Sequence, residues 1–194
     1  MAADYHYVST WQLRAPIERV WTAISDLDHL PAWYPAVHDV QTLAPGDDQG
    51  VGARVRYVIK GRLPMRLAFE GTITRVDPPR ELDLGAEGEL EGTGRWDLDQ
   101  QDGLTSARYT WDVRTTKPWM NLVAPVARPL FTWNSKGVMR EAGASLARFL
   151  EAPLVKTEFT APAWPPARPL RWALAAASVL WLLRRTRSSR RRHP

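Results

Sequence analysis

The side chains that could perform chemistry are few and lie far apart along the 194-residue chain. There is no Cys, which excludes a thiol nucleophile, a disulfide framework and a thiolate metal site. No serine lies in a nucleophile elbow, and the glycines of segment 92–94 do not lead into a helix as those of a phosphate-binding loop do. The sequence therefore predicts neither a hydrolase nor a nucleotide site, and we expect no cofactor.

The histidines show no metal-binding pattern. None has the spacing that would let it share a metal with a second histidine or a carboxylate on one helix face. His29 and His38 flank the aromatic segment 33–35, so they could guard the mouth of a cavity or act as acid and base groups. Solvated loop histidines are the simpler interpretation. We predict no metal site.

Four polar side chains could polarise a carbonyl or move a proton if they faced an apolar cavity. They are Tyr57, Arg95, Tyr109 and Asn134. Asn134 interrupts an apolar helical surface beside Trp133, and it could equally be a surface amide or one that bonds to a helix kink. Arg95 points away from the core by strict alternation and qualifies only if a bulge near Gly94 turns it inward.

The elements that must position these residues follow from hydrophobic periodicity. A first strand runs from Tyr5 to Arg14, and two short helices follow, one after Pro16 and one from about Leu27 to Trp33, capped by Asp26 or Asp28. Residues 37–115 then alternate apolar and polar side chains, with turns at 45–48, 61–64, 77–80 and 102–103. This order predicts an α+β fold in which a curved antiparallel sheet of about seven strands wraps around one long C-terminal helix.

The long helix, residues 118–150, divides into two halves. From Val138 onward apolar residues recur at three- and four-residue steps, which is typical of an amphipathic helix. The first half contains Pro125 and Pro129, so we expect the helix to start late or to kink there. Because this half is too apolar for a free surface, a ligand could share its space.

Two segments carry a family resemblance. The run APIERVWTAISDLDHLPAWYPAV, with Trp21, Trp33 and Pro35, resembles the START-like superfamily and most closely its polyketide cyclase/dehydrase and lipid-transport (SRPBCC) family. The run from Thr115 to Leu150 is similar to the last helix in a bacterial branch of that family. The resemblance covers roughly residues 5–152 and implies a helix-grip fold with an apolar cavity between sheet and helix, entered near the loop after the second helix.

The alternation of apolar and polar residues predicts which side chains would line such a cavity. The sheet would contribute Tyr57, Phe69, Trp96, Tyr109 and Trp111. The helix would contribute Leu122, Val126, Leu130 and Trp133, and the mouth would contain Trp33 and Tyr34. The alternative is that these side chains simply pack on one another as core.

Charge and composition separate the tail from the rest of the chain. Eight of the 26 Lys and Arg residues follow Thr160 and none of the 21 Asp and Glu residues do, which leaves 18 bases against 21 acids before it. The folded part is therefore slightly acidic, and we expect no specific nucleic-acid partner. We predict a ligand-binding domain at 1–153, a Pro-rich linker at 154–171 and an apolar, Arg-rich tail at 172–194.

The tail suggests contact with a membrane. Its apolar stretch has Trp172 and Trp181 near its ends and is followed by arginines up to Arg192, a pattern that favours shallow insertion into an anionic leaflet. The N-terminus has neither the basic segment nor the apolar run of a signal peptide. We therefore expect a cytoplasmic protein. Attachment of the tail at the inner face of the membrane is the favoured interpretation, and a short spanning anchor or a tail that packs on the domain or is disordered are the alternatives.

Three functions remain open at this point. The first is binding or transport of a hydrophobic or aromatic small molecule, lipid-like or polyketide-like. The second is a cyclase/dehydratase that acts on a polyketide-like substrate in the same cavity. The third is an interaction module whose core is filled by its own side chains. The first two require a cavity of roughly a few hundred Å³.

Overall fold

The computed structural model describes the backbone of residues 3–116 and 118–162, and the side chains of 4–116 and 129–162. Met1–Pro162 forms one compact unit. In the described residues the elements follow in the order β1 (Ala3–Leu13), α1 (Ile17–Ser25), α2 (Leu30–Trp33), β2 (Val37–Ala44), β3 (Arg54–Ile59), β4 (Leu67–Asp77), β5 (Glu81–Gly88), β6 (Leu90–Gln101), β7 (Leu104–Thr115), α3 (Pro118–Phe149) and β8 (Leu154–Thr160).

The strands form one antiparallel sheet in the order β2-β3-β4-β5-β6-β7-β1-β8. β1 and β7 pair without a register shift, from Ala3 opposite Thr115 to Leu13 opposite Thr105. Side chains alternate between the two faces of each strand, so every second residue reaches the inner face that the helices cover. This is the α+β helix-grip architecture that the sequence predicts.

The sheet has eight strands in the described part of the chain, one more than predicted. The additional strand, β8, occupies residues 154–160, which the sequence pattern assigns to the linker. β8 pairs antiparallel with β1, Thr160 lying opposite Val8, and Phe159 packs 5.5 Å from Tyr7 between ring centroids. An edge strand contributes few apolar side chains to the core, and this one pairs with a strand at the other end of the sequence. Local periodicity therefore does not reveal it.

Helix α3 runs from Pro118 to Phe149, a length of 32 residues. It begins before Pro125 and Pro129, so the predicted late start is wrong. A proline inside a helix costs about 3 kcal/mol, which the many remaining hydrogen bonds and the packing of a long helix can offset. In the second half Met139, Ala142 and Leu146 are buried against the sheet, as the periodicity predicts.

The short helix α2 begins at Leu30 rather than near Leu27. Its N-cap is His29, and no side chain caps it, so the predicted cap by Asp26 or Asp28 is wrong. Asp26 instead bonds to the imidazole of His29, because the two side chains lie three residues apart in the α1–α2 connection. None of the helices within the described ranges combines the length and hydropathy that a membrane span requires.

Candidate functional site

A cavity of about 200 Å³ lies between the inner face of the sheet and the helices. It is lined mainly by apolar and aromatic side chains, and the described lining includes no Asp, Glu, His, Lys or Arg. The interior is therefore not solid, which argues against the filled-core module. The volume is smaller than the few hundred Å³ that the sequence interpretation requires, so it suits a compact ligand better than a long lipid chain.

One wall of the cavity is a continuous series of aromatic rings from strands β3, β4, β6 and β7. Tyr57 lies 5.4 Å from Phe69, and Phe69 lies 5.7 Å from Trp111, between ring centroids. Tyr109 lies 5.8 Å from Trp111 and 4.5 Å from Trp96. Tyr57 with Phe69 and Trp96 with Tyr109 are directly opposite cross-strand pairs, which places their rings on the same face. The register of the sheet thus places the rings within each pair, and the contact between Phe69 and Trp111 joins the two pairs across β5 and β6.

Three phenols add hydrogen-bonding groups at or beside this wall. The Tyr34 hydroxyl donates a hydrogen bond to Sδ of Met139 at 3.2 Å. Among the described residues, no hydrogen bond engages the hydroxyl of Tyr57 or of Tyr109. Burial raises the pKa of all three phenols, and for Tyr57 the nearby Asp28 carboxylate raises the pKa further. The phenols therefore stay protonated at neutral pH and can donate hydrogen bonds.

Asn134 holds the β3–β4 loop against helix α3. Its Oδ1 accepts hydrogen bonds from the backbone N–H groups of Arg62 at 2.7 Å and Leu63 at 3.2 Å. The Arg62 guanidinium lies 5.6 Å from the centre of the Trp133 ring. A Cβ added to Gly137 would come within 2.6 Å of that guanidinium, so this glycine leaves room for it. Because Leu63 lines the cavity, the loop and the helix together close one side of it.

The family model for polyketide cyclase/dehydrase and lipid transport matches residues 6–151. The chain belongs to this family. No curated protein is similar enough in sequence to count as a match.

Several solved structures share this fold. The protein TTHA0849 from Thermus thermophilus superposes with a TM-score of 0.61 at 18% identity, covering 74% of this chain and 98% of its own. A START superfamily protein from Mycobacterium smegmatis gives a TM-score of 0.61 at 17% identity, with 75% and 97% coverage. The Zhui aromatase/cyclase from Streptomyces sp. R1128 gives 0.57 at 17% identity, with 75% and 95% coverage. At these identities the likeness establishes the fold.

In this polyketide cyclase/dehydrase family member, six of the predicted lining residues do line the cavity. They are Tyr34, Tyr57, Phe69, Trp96, Tyr109 and Trp111. Trp33 does not, because its indole turns toward α1, where Nε1 donates to the carbonyl of Ala23 at 2.8 Å. It stacks on Tyr34 with 5.4 Å between ring centroids, so it packs against a lining residue without lining the cavity itself.

The prediction is less successful for the lining residues on helix α3. Leu130 and Trp133 are 47% and 53% exposed and do not line the cavity. At about 100° per residue, Leu130 lies about 180° around the axis from buried Met139, and Trp133 about 120°. Phe131, Ser135 and Val138 line the cavity instead. Leu122 and Val126 lie outside the residues whose side chains are described.

Of the four polar side chains proposed as candidates, three line the cavity and one does not. Tyr57, Tyr109 and Asn134 line the cavity. Arg95 does not, since the β5–β6 and β6–β7 registers continue past Gly94 without a shift. Its guanidinium lies on the outer face of the sheet, 2.8 Å from Asp97 and 3.0 Å from Glu81. His29 and His38 are exposed and line no part of the cavity.

Several lining residues were not predicted. Tyr5, Tyr7 and Ser9 of β1 contribute to the cavity, as do residues of the α1–α2 connection and of the β3–β4 loop. The alternation of β1 places these three side chains on one face, and that signal could have included them in the lining. The loop residues Leu63 and Met65 carry no periodic signal, because only the tertiary fold brings the loop over the cavity.

No metal site emerges in the described ranges. No group of three or more His, Asp or Glu side chains there could hold an ion. The acidic side chains near Arg95 instead form ion pairs with it. The cavity thus offers shape, apolar surface and neutral hydrogen-bonding groups for its chemistry.

Proposed function

We propose that this protein binds a compact hydrophobic or aromatic small molecule in the cavity between sheet and helices. The observation that supports this best is the lining itself, a continuous series of aromatic rings with a few neutral polar groups and no ionised side chain among the described residues. Burial of apolar ligand surface provides the driving force, at about 25 cal/mol per Å². The aromatic rings fix the orientation of a flat ligand by stacking or edge contact.

Family membership supports the same proposal. The family description joins polyketide cyclases and dehydrases with lipid transport, activities that both require a hydrophobic guest. The cavity volume of about 200 Å³ favours a guest of a few fused rings over a complete lipid. Carriage of such a molecule, as well as its binding, belongs to the proposal.

The proposal is tested with 2-naphthol, a compact neutral aromatic, and the full-length protein. Titration should quench tryptophan fluorescence saturably, because Trp96 and Trp111 line the cavity. Amide chemical shifts should change in β3, β4, β6 and β7 and stay constant in the exposed segment 45–49, which does not line the cavity. Absence of saturable binding, or shift changes confined to the protein surface, would refute a ligand-binding cavity.

A cyclase/dehydratase is the second candidate, and one observation favours it. The hydroxyls of Tyr57 and Tyr109 line the cavity without a hydrogen-bond partner in the described residues, so they could polarise a ketone carbonyl of a bound substrate. The described lining offers no carboxylate or imidazole to remove a proton, which makes binding the stronger proposal. Incubation with a linear poly-β-ketone thioester, followed by mass spectrometry, separates the two. A product formed at the rate of the protein-free control leaves binding alone.

The tail proposal concerns residues outside the described part. It holds that residues 172–192 attach a cytoplasmic protein to an anionic membrane surface through tryptophans and arginines. Its support is compositional, an uncharged apolar segment followed by arginines. Attachment would place the cavity close to a source or an acceptor of hydrophobic molecules.

A further inference from the structure

We infer that the cavity selects uncharged aromatic ligands that carry a hydrogen-bond acceptor, such as a ketone or a hydroxyl, and that it rejects the corresponding carboxylates. The inference rests on the proposed binding function and names the chemical class of its ligand. Tyr57 and Tyr109 are the residues that recognise the polar group. Two observations support the inference independently. The described lining contains no charged side chain, and the hydroxyls of Tyr57 and Tyr109 have no hydrogen-bond partner among the described residues.

The charge argument begins with the lining, which in its described part contains no cation to neutralise a carboxylate. Two ionisable side chains close to the described lining, Arg62 and Asp28, are engaged elsewhere. Arg62 stands over the Trp133 ring on the helix surface, and Asp28 accepts a hydrogen bond from the Thr42 hydroxyl. Asp28 also lies close enough to Tyr57 to raise the pKa of that phenol, so its negative field extends to the cavity wall. A buried carboxylate would therefore lose its hydration without gaining a cation, and hydrogen bonds from neutral hydroxyls compensate only part of that cost.

The hydrogen-bond argument begins with two phenols. Tyr57 is only 5% exposed, and Tyr109 faces the cavity beside Trp96. Neither hydroxyl has a hydrogen-bond partner in the described part of the chain. In the empty cavity water can bond to such a hydroxyl, and a ligand that displaces this water must supply an acceptor oxygen of its own or leave the hydroxyl unpaired. A ligand without an acceptor leaves both hydroxyls unsatisfied and gains only apolar contact.

The lining contains three further tyrosines, Tyr5, Tyr7 and Tyr34, and all three already have interaction partners, so the recognition falls on Tyr57 and Tyr109. Tyr34 also lines the cavity, but its hydroxyl already donates to Met139 Sδ. Replacement of Tyr34 by Phe removes a bond internal to the protein, whereas replacement of Tyr57 or Tyr109 by Phe removes a group reserved for the ligand. Each substitution retains the aromatic ring, so the apolar wall is preserved in all three variants.

The test compares three probes that share one ring system, namely naphthalene, 2-naphthol and 2-naphthoate, by tryptophan quenching at pH 7. We expect 2-naphthol to bind about 5-fold to 10-fold more tightly than naphthalene, the gain from one additional hydrogen bond. We expect 2-naphthoate to bind at least about 100-fold more weakly than 2-naphthol, because a carboxylate must be desolvated. Naphthoate that binds as tightly as naphthol would overturn the inference while leaving the binding function intact. Failure of all three probes would refute the binding function itself.

Variants of the three tyrosines test which hydroxyls bind the polar group of the ligand. Tyr57→Phe and Tyr109→Phe should each weaken 2-naphthol binding by about 5-fold and leave naphthalene binding unchanged. The control Tyr34→Phe should change the preference between the two probes by less than about 2-fold. Equal effects of the three substitutions on both probes would show that they act on cavity shape, which would overturn the assignment of Tyr57 and Tyr109. Thermal unfolding of each variant confirms that it is folded.

Discussion

The phenol of Tyr109 lies over Gly94, and a Cβ added to that glycine would come within 2.8 Å of the phenol oxygen. The same Cβ would lie 2.8 Å from Cζ3 of Trp111. Gly94 pairs with Trp111 across β6 and β7, and Tyr109 is opposite Trp96 on the same face. A glycine at this position therefore leaves room for two rings of the aromatic wall.

Gly94→Ala should destabilise the protein and weaken 2-naphthol binding. The methyl group must displace the two rings in a packed wall, and overpacking of this kind costs about 1–3 kcal/mol. Chemical denaturation measures the free energy of unfolding. Gly85→Ala is the matched control, since its Cβ would meet only Thr74 Cγ2 at 3.9 Å. We expect the control to change the unfolding free energy by less than about 0.5 kcal/mol; equal destabilisation would contradict the proposed role of Gly94.

Asn134→Ala should loosen the β3–β4 loop. Both backbone N–H groups that donate to Asn134 Oδ1 would lose their partner, so hydrogen exchange at Arg62 and Leu63 should accelerate. The loss of stability should be about 1 kcal/mol. Asn134→Asp retains an acceptor oxygen at the same place and should preserve slow exchange. If the Asp variant exchanges as fast as the Ala variant, the loop is not held by this acceptor.

The two neighbouring residues Leu130 and Phe131 should respond differently to truncation. Phe131 lines the cavity and contacts Tyr5 edge-on, with 6.0 Å between ring centroids. Phe131→Ala should lower the free energy of unfolding by about 2 kcal/mol and alter ligand affinity. Leu130 is 47% exposed, so Leu130→Ala should change stability by about 0.5 kcal/mol or less. A larger effect at Leu130 would show that its exposed side chain is covered in solution.

His29 should titrate above the ordinary histidine range. The hydrogen bond from its Nδ1 to Asp26 at 2.9 Å, together with the charge of that carboxylate, raises the pKa of His29. Because the folded-state pKa is the higher one, this pair contributes stability below about pH 6.5 and loses it as pH rises through the folded-state pKa. NMR titration of the ring protons measures the value. Asp26→Asn should return the pKa toward the ordinary range, and an unchanged value would exclude Asp26 as the cause.

The tail prediction is tested with a shortened protein, and the domain boundary that the sequence predicts, at residue 153, is not the right place to end it. A chain that ends at Pro153 would lose β8 from the sheet, so the comparison uses a chain that ends at Pro162. Full-length protein should float with anionic vesicles and remain in solution with neutral ones, and the shortened protein should bind neither. Circular dichroism verifies that the shortened protein is folded. Equal flotation of the two proteins on anionic vesicles would refute membrane attachment through the tail.

The sequence determined the fold class and much of the aromatic wall. Period-two alternation assigns Tyr57, Phe69, Trp96, Tyr109 and Trp111 to inner faces because side chains of a strand point to alternate sides, and this is a local property. The same reasoning placed Arg95 outside unless a bulge intervened, and none is present in the pairing of β6 with its neighbours. The family resemblance supplied the cavity and the long C-terminal helix.

Only the tertiary structure decided which helical and loop residues reach the cavity. The face that α3 buries depends on its rotation against the sheet, so Phe131 lies inside while Leu130 and Trp133 lie outside. β8 became visible only through its pairing with β1, and Asn134 acquired its role through a loop about 70 residues earlier in the sequence. Trp33 belongs to the core because its indole N–H donates a hydrogen bond to the carbonyl of Ala23 on α1. Contacts between distant parts of the chain set these outcomes, and such contacts leave no periodic signal in the sequence.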